Sequence, residues 1–279
     1  MEDSYKEVIK LIDMKTHFIT FSNTSYMYPD RILKEAESFK FDSIQNLSEL
    51  DIPEFLEKHS NFINSNHHGF GRWIWKPKII LDKLKSIDDN DILIYCDSGM
   101  YLNSKGLNRY NEYLDILNEK DMVTFSLNQD GRFYFAQQWV VKIVIDSYYP
   151  EFVNMSNKYC YGGVIMMKKT KSTISLIEDW LGLCERHEFI TGKLSFPEYD
   201  SFVGHDSDNG LFNICLVKHG ISHYIFPDET NIYLPDGSQN YSASLEEWET
   251  LNEFPFQCRR IRPGSLHYDY YDHYTKNKN

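Results

Sequence analysis

Residues 91–99 read DILIYCDSG. From Asp91 to Cys96 the run is almost continuously apolar, the pattern of a strand buried on both faces of an α/β sheet. Asp97, Ser98 and Gly99 follow directly, at the C-terminal end of that strand, where open α/β sheets place their ligands. An Asp beside small residues lets a carboxylate reach a divalent cation while the backbone comes close to a diphosphate. An Asp ending a strand also serves as a turn former or helix cap, so the position alone leaves both readings open.

Working outward from this strand, the pattern alternates helix and strand. HFITF at 17–21 is a short apolar run followed by the polar Ser22, Asn23, Thr24 and Ser25, a first strand opening into a loop that faces a ligand. A helix is predicted from Pro29, with Ile32, Leu33, Ala36 and Phe39 at helical spacing, and another over 53–62. Residues 64–77, NSNHHGFGRWIWKP, have no clean period and read as loop. Helices are predicted over 78–87, 105–118, 137–147, 172–186 and 206–218, with strands at 121–127, 160–167 and 222–226. Residues 188–204 read as loop, and the Tyr-rich tail from Ser265 has no period. The result is an α/β class with mixed strands late in the chain, in one domain over 1–279, since no repeat, low-complexity tract or Pro/Gly/Ser linker divides it.

Composition narrows the partners. A net charge of −12 argues against nucleic acid or an anionic membrane as main partner, because both need a basic face, whereas a small phosphorylated ligand needs only local cations. Five widely spaced cysteines without a C-x-x-C pair indicate neither a disulfide framework nor a zinc site. MEDSYKEVIKLIDMK lacks the apolar region of a signal peptide and no apolar run reaches the length of a membrane span, so a cytoplasmic location is expected. The aromatic share of 15% suits pockets for ring-shaped ligands, although most such rings fill cores.

The block GFGRWIWKPKIILDKL at 69–84, followed by DILIYCDSG, resembles a family of glycosyltransferases of polysaccharide biosynthesis with the pattern G-x-G-Y-W-x-W-K-P, a helix, and D-I-L-x-Y-x-D-x-G. The matching residues are Gly69, Gly71, Trp73, Trp75, Lys76, Pro77, Asp91, Ile92, Leu93, Tyr95, Asp97 and Gly99, and Arg72 replaces the usual Tyr. The match is specific over about 30 central residues, with weaker echoes to about residue 226. The resemblance implies the Rossmann-like GT-A fold, a mixed sheet flanked by helices, with a nucleotide-sugar-binding half over about 1–125 and an acceptor half with the C-terminal tail over about 126–279. It implies a nucleotide diphosphate sugar, with UDP-sugar the default, as donor, a glycan or glycolipid as acceptor, and Mn²⁺ or Mg²⁺ as cofactor.

The same resemblance distributes roles along the chain. Asp97 belongs to a shortened D-x-D metal motif in which Gly99 replaces the second Asp, so another metal ligand is needed, and His267 in the tail is the candidate. Thr20, Phe21, Ser22 and Asn23 would recognise base and ribose, although Ser22 and Asn23 also suit helix capping. Trp73 would stack on a ring and Lys76 contact phosphate, together with Ser98, Gly99, Arg260 and Arg262 around the diphosphate. On an extended backbone Trp73 and Trp75 would share a face, with one of them in the core. Trp75, Gly162, Gly163 and His205 are the candidate acceptor contacts, the paired glycines being equally explained by a bulge. GHDSDNG at 204–210 resembles the family's H-D-Q motif, which makes Asp206 and Asp208 the candidate catalytic carboxylates, with an N-cap as the plainer role for Asp206.

The expected reaction is metal-assisted sugar transfer to an acceptor hydroxyl in surface-polysaccharide synthesis, with family likeness leaning to retention of the anomeric configuration. Two other classes fit the same residues. One is a nucleotidyl or phosphoryl-group transferase, which needs the same diphosphate pocket. The other is an inactive nucleotide- or glycan-binding module, which the missing second Asp favours.

Overall fold

The computed structural model describes residues 14–23, 30–129, 132–133, 135–192, 197–235, 239–240 and 242–261. Its centre is a six-stranded sheet made of β1 (Thr16–Phe21), β2 (Ser43–Leu47), β3 (Ile92–Cys96), β4 (Met122–Ser126), β5 (Cys160–Lys168) and β6 (Ser222–Ile225), in the order β2-β1-β3-β5-β4-β6. β1 is parallel to β2 and β3, β4 is parallel to β6, and β5 alone runs antiparallel, between β3 and β4. The α/β class with a mixed sheet between helices is therefore borne out.

β3 has the burial that its apolar run predicts, with all five residues at or below 2% exposure. Leu93 and Tyr95 face a core built from α2 (Trp75–Ser86), α4 (Lys171–Cys184) and α5 (Ser207–His219). Ile92, Ile94 and Cys96 face a second core, under α1 (Asp30–Ala36) and α3 (Leu107–Glu119). Period-two alternation thus assigns each β3 side chain to one helical layer. From β1 the chain passes to β2 on one side and then across to β3 on the other, so the carboxyl ends of β1 and β3 flank a topological switch point, the usual ligand crevice of an open α/β sheet.

The stretch expected to be loop departs from that reading. Gly69, Phe70, Gly71, Arg72 and Trp73 all have positive φ, from 53° to 82°. Left-handed backbone is open to Gly but costs on the order of 1 kcal/mol or more at Phe70, Arg72 and Trp73. The turn is closed by Trp73 N–H and the Trp75 indole N–H, both donating to the Gly69 carbonyl at 3.0 and 3.1 Å. Helix α2 then begins at Trp75, three residues before the predicted start, with Pro77 in the first turn, where its missing N–H breaks no bond. Trp73 and Trp75 consequently do not share an extended face.

Other differences have local causes. The helix predicted over 53–62 is two short helices, Pro53–Lys58 and Ser60–Ser65. A short helix, His187–Thr191, opens the stretch read as loop, burying Phe189 and Ile190. β2, SIQNL, is an edge strand whose polar Gln45 and Asn46 hid it from the apolar pattern. The C-terminal segment returns over the sheet: Phe256–Gln257 pairs antiparallel with Tyr101–Leu102, and Ile261 N–H donates to the Gly99 carbonyl at 2.9 Å.

Asn103 fixes this return by donating from Nδ2 to the carbonyls of Asn252 and Phe254 at 2.9 and 3.1 Å. Gly106 lies directly beneath it, and a Cβ there would stand 2.4 Å from the backbone of Phe254 and Pro255. Backbone on both sides has no soft side chain to give way. Gly106→Ala is therefore expected to lower unfolding free energy by about 1–3 kcal/mol, read as a lower urea midpoint at unchanged slope.

Candidate functional site

The carboxyl end of β3 carries an ionic cluster made from three separate elements, with Lys76 and Asp208 buried and Asp97 partly open. Lys76, in the first turn of α2, is 4% exposed. Its Nζ stands 3.1 Å from Asp97 Oδ1, just past β3, and 3.7 Å from Asp208 Oδ2, in the first turn of α5. It also donates to the Gly162 carbonyl on β5 at 3.3 Å and lies 5.4 Å from the centre of the Tyr95 ring. Tyr95 OH donates to the same Asp97 Oδ1 at 2.6 Å. Burying an ammonium without counter-charge is costly, so these oxygens are what allow Lys76 to stay inside as a cation.

The titration of each member follows from its neighbours. Burial alone lifts the Asp97 carboxyl, but Lys76, Tyr95 and Arg260 outweigh it and hold the group below the ordinary Asp value. Burial lowers the Lys76 ammonium, yet Asp97 and Asp208 reverse the sign and raise it. Asp208 lies on the losing side: burial, with Asp206 and Asp97 nearby, raises it to about 7 against the pull of Lys76. The Tyr95 hydroxyl is pushed well up, by burial first and then by Asp97, so it remains a proton donor.

The loop after β3 is pinned from two directions. Arg31 donates from one guanidinium nitrogen to the carbonyls of Ser98 and Met100, both at 2.7 Å, while Glu35 pairs with Arg31 and accepts from Leu102 N–H. Sequence reasoning missed both residues, since an Arg and a Glu four apart on a helix read as a solvent-facing pair. On the other side the Arg260 backbone packs within 3.6 Å of where a Gly99 Cβ would lie, and the Arg260 guanidinium is 5.8 Å from the Tyr161 ring.

The loop after β1 lies at the same edge of the sheet. Thr20 is fully buried, and neither its Oγ1 nor Asn23 Oδ1 has a hydrogen-bond partner among the described residues. Ser22 donates to Asn46 Oδ1 at 3.0 Å. Phe21 stacks on Trp75 with centroids 3.9 Å apart. Trp75 is 6% exposed, so its ring packs the core beneath the site, while Trp73 is only partly buried and meets His68 edge-on at 4.8 Å.

At the start of α5, Asp206 accepts from Tyr159 OH and from Asn209 Nδ2, the latter at 3.2 Å, and Asn209 Nδ2 also donates to Tyr159 OH at 2.8 Å. Asp206 stands at the N-cap position, but its side chain makes no cap hydrogen bond there. His205 accepts the Val141 N–H at 3.4 Å and is lowered to about 4, mainly by burial, which keeps it neutral. The paired glycines have a packing explanation: a Gly162 Cβ would lie 2.5 Å from Asn209 Oδ1, and a Gly163 Cβ 2.2 Å from the Tyr161 ring. The structure thus brings together Asp97, Lys76, Asp208, Gly162, Ser98, Gly99 and Arg260, with Asp206 and His205 beside them on the α5 end. Arg262 and His267 lie outside the described residues.

A divalent ion does not fit the described residues as they stand. Asp97 Oδ1 already receives Tyr95 and the Lys76 ammonium, Gly99 contributes no second carboxylate, and among the described residues no three His, Cys, Asp or Glu side chains group as ligands.

No family model matches the sequence, and neither does any curated protein. Among solved structures, the chain is similar to a glycosyltransferase involved in glycosylation of the major capsid of PBCV-1, with 12% identity over 93% of this chain and 98% of that one at a TM-score of 0.47. It is also similar to the glycosyltransferase GlyE of Streptococcus pneumoniae TIGR4, with 9% identity over 91% and 57% and a TM-score of 0.46. A third likeness is to the galactosyltransferase LgtC in complex with donor and acceptor sugar analogues, with 12% identity over 90% of each chain and a TM-score of 0.43. All three scores lie below 0.5. Among the described residues, no helix is long and apolar enough to cross a membrane.

The raised Asp208 value has a consequence for stability. A carboxyl whose folded value lies above its unfolded one stabilises the fold below the unfolded value, near 4, and this contribution is lost as pH rises through about 7. Wild type should therefore lose stability between pH 4 and pH 7 relative to Asp208→Asn, which has no proton to release. Urea unfolding of both proteins at pH 5 and pH 8 checks this, and parallel pH dependences would refute it.

Proposed function

We propose that this chain is a GT-A glycosyltransferase that moves a sugar from a nucleotide diphosphate donor, UDP-sugar by default, to a hydroxyl of a glycan or glycolipid acceptor. The observation that carries the reading is the position of Asp97. A carboxylate held ionised stands at the carboxyl end of β3, beside the switch point, with Lys76 and Arg260 next to it and the β1 loop at the same edge. The resemblance of residues 69–99 to polysaccharide glycosyltransferases joins this placement to a reaction class.

In this reading Ser22 and Asn23 meet base and ribose with short polar groups, and Asn23 Oδ1 has an acceptor to offer. Ser98, Gly99 and Arg260 face the diphosphate, with Arg262 in the same role beyond the described residues. The bond between the anomeric carbon and the diphosphate oxygen breaks, and a new bond forms to the acceptor oxygen. The acceptor proton passes to a carboxylate at the α5 end, where Asp206 and Asp208 stand, and fixed cations balance the charge that grows on the leaving diphosphate. His205, Gly162 and Gly163 border the acceptor side, while Trp75 supports it from the core. The Mn²⁺ or Mg²⁺ that the resemblance implies, with Asp97 and His267 as its ligands, is not part of this reading, because the described residues do not fit it. Two halves, about 1–125 for the donor and about 126–279 for the acceptor, and a surface-polysaccharide product reached with retention, complete the proposal.

Asp97→Asn is expected to lower turnover by about 100-fold or more, assayed below the unfolding midpoint as sugar release from a panel of UDP-sugars. The same panel in thermal shift should pick out one donor, because a ligand bound only by the folded state raises the midpoint. Equal turnover of variant and parent, or activity confined to nucleoside triphosphates, would remove the glycosyltransferase reading. Proton NMR of the product's anomeric signal decides retention.

A further inference from the structure

We infer that the resident cation of Asp97 in this protein is the Lys76 ammonium, standing where a divalent ion would sit, and that a nucleoside diphosphate binds without added metal. The second half rests on the nucleotide-sugar reading above; the first does not.

Three oxygens from three elements converge on Lys76 Nζ: Asp97 Oδ1 from the end of β3, the Gly162 carbonyl from β5 and Asp208 Oδ2 from α5, at 3.1, 3.3 and 3.7 Å. Oxygens gathered about one point are the arrangement of ligands about a hard cation, here expanded from the 2.0–2.6 Å of a metal shell: the Asp97 and Gly162 oxygens lie within reach of an N–H donor, and Asp208 Oδ2 stands farther off as an ion-pair partner without a hydrogen bond. The ammonium is held there by its backbone. Lys76 lies between Trp75, which is stacked on Phe21 and bonded to Gly69, and Pro77, within a helix start fixed by a left-handed turn.

Charge supports the same assignment. Asp97 and Asp208 supply at most two negative charges to this point, and Gly99 supplies none where a second acid of a D-x-D motif would stand. One ammonium with the neighbouring Arg260 already matches two carboxylates. A divalent ion added on Asp97 would face the buried Lys76 ammonium, a like charge 3.1 Å from the carboxylate that would hold it, and Gly99 brings no further acid to offset it. The missing second acid and the buried lysine are thus two sides of one design: a site with fewer carboxylates carries a cation of lower charge.

Mn²⁺ titration of the nucleotide-free full chain, followed by electron paramagnetic resonance, tests the assignment. Wild type should leave Mn²⁺ free up to about 1 mM. Lys76→Gln leaves both carboxylates facing the vacated point and should tighten Mn²⁺ binding by about tenfold or more, a gain that a further Asp97→Asn removes. One equivalent of Mn²⁺ bound by wild type at micromolar concentration and lost in Asp97→Asn overturns the inference, as does the absence of any gain in a folded Lys76→Gln. Should Lys76→Gln fail to fold, the wild-type titration and its Asp97→Asn control decide alone. Calorimetry of UDP in EDTA and in Mn²⁺ should give affinities within about twofold, and a tenfold gain with Mn²⁺ overturns the metal-independent half. No UDP binding in either buffer removes that half together with the nucleotide-sugar reading, and the titration still settles the role of Lys76.

Discussion

A single buried ammonium organises the carboxyl end of this sheet. Lys76 is the only link between α2, the end of β3 and the start of α5 that is both charged and buried on all sides among the described residues. Desolvating it is tolerated because Asp97, Asp208 and the Gly162 carbonyl replace water, and desolvating Asp97 is tolerated because Lys76 and Tyr95 do the same in return. Neither group has a stable place without the other. The elements that carry them are therefore locked into one relative arrangement, and the functional edge of the sheet takes its geometry from an ion pair instead of from apolar packing alone.

The strained turn before α2 follows from this requirement. A lysine side chain reaches Asp97 from the first turn of α2 only if the helix starts at Trp75, and the chain arriving from 66 must reverse sharply to allow that start. Five successive left-handed residues make the reversal, three of them not glycine. Stacking of Trp75 on Phe21 and the two bonds to the Gly69 carbonyl offset the backbone cost. The conformation is thus explained by where Lys76 has to go, which also accounts for glycine at 69, where a Cβ would lie 2.4 Å from the Trp73 ring.

How much of this was legible in the sequence divides along physical lines. β3 was readable because five consecutive apolar residues have no other economical place than a doubly covered strand, and the position of Asp97 followed from it. α4 was readable from its helical period, whereas α5 is buried on almost every face and has little period of its own. β2 was not, since an edge strand carries polar residues that imitate a loop. The turn at 69–73 was seen as irregular, but no propensity indicates left-handed backbone at Phe70, Arg72 and Trp73, because local preference opposes it and only tertiary contacts enforce it. In the site, Asp97 and Asp208 were named from motif positions. Their connection through Lys76 was not, because residues 76, 97 and 208 meet only through the sheet topology. Arg31 escaped for the same reason: its partner carbonyls, on Ser98 and Met100, lie 67 and 69 residues away.

The asymmetry between the two carboxylates is the last step. Asp97 and Asp208 share one ammonium, yet one is held below its ordinary value and the other is raised to about 7. The difference lies in the remaining neighbours: Asp97 has Tyr95 and Arg260, whereas Asp208 has Asp206 and Asp97, both negative, and no side-chain donor for its Oδ2. Two carboxyl groups whose surroundings drive them apart divide into a permanent anion and a group that exchanges its proton near neutrality. The permanent anion stands at the switch point, where a donor's charged group arrives. The exchangeable one stands at the α5 end beside Asp206, Tyr159 and Asn209, on the side where a hydroxyl has to give up its proton. One lysine thus stands between an electrostatic role and a proton-handling role, 3.1 Å from the first carboxylate and 3.7 Å from the second.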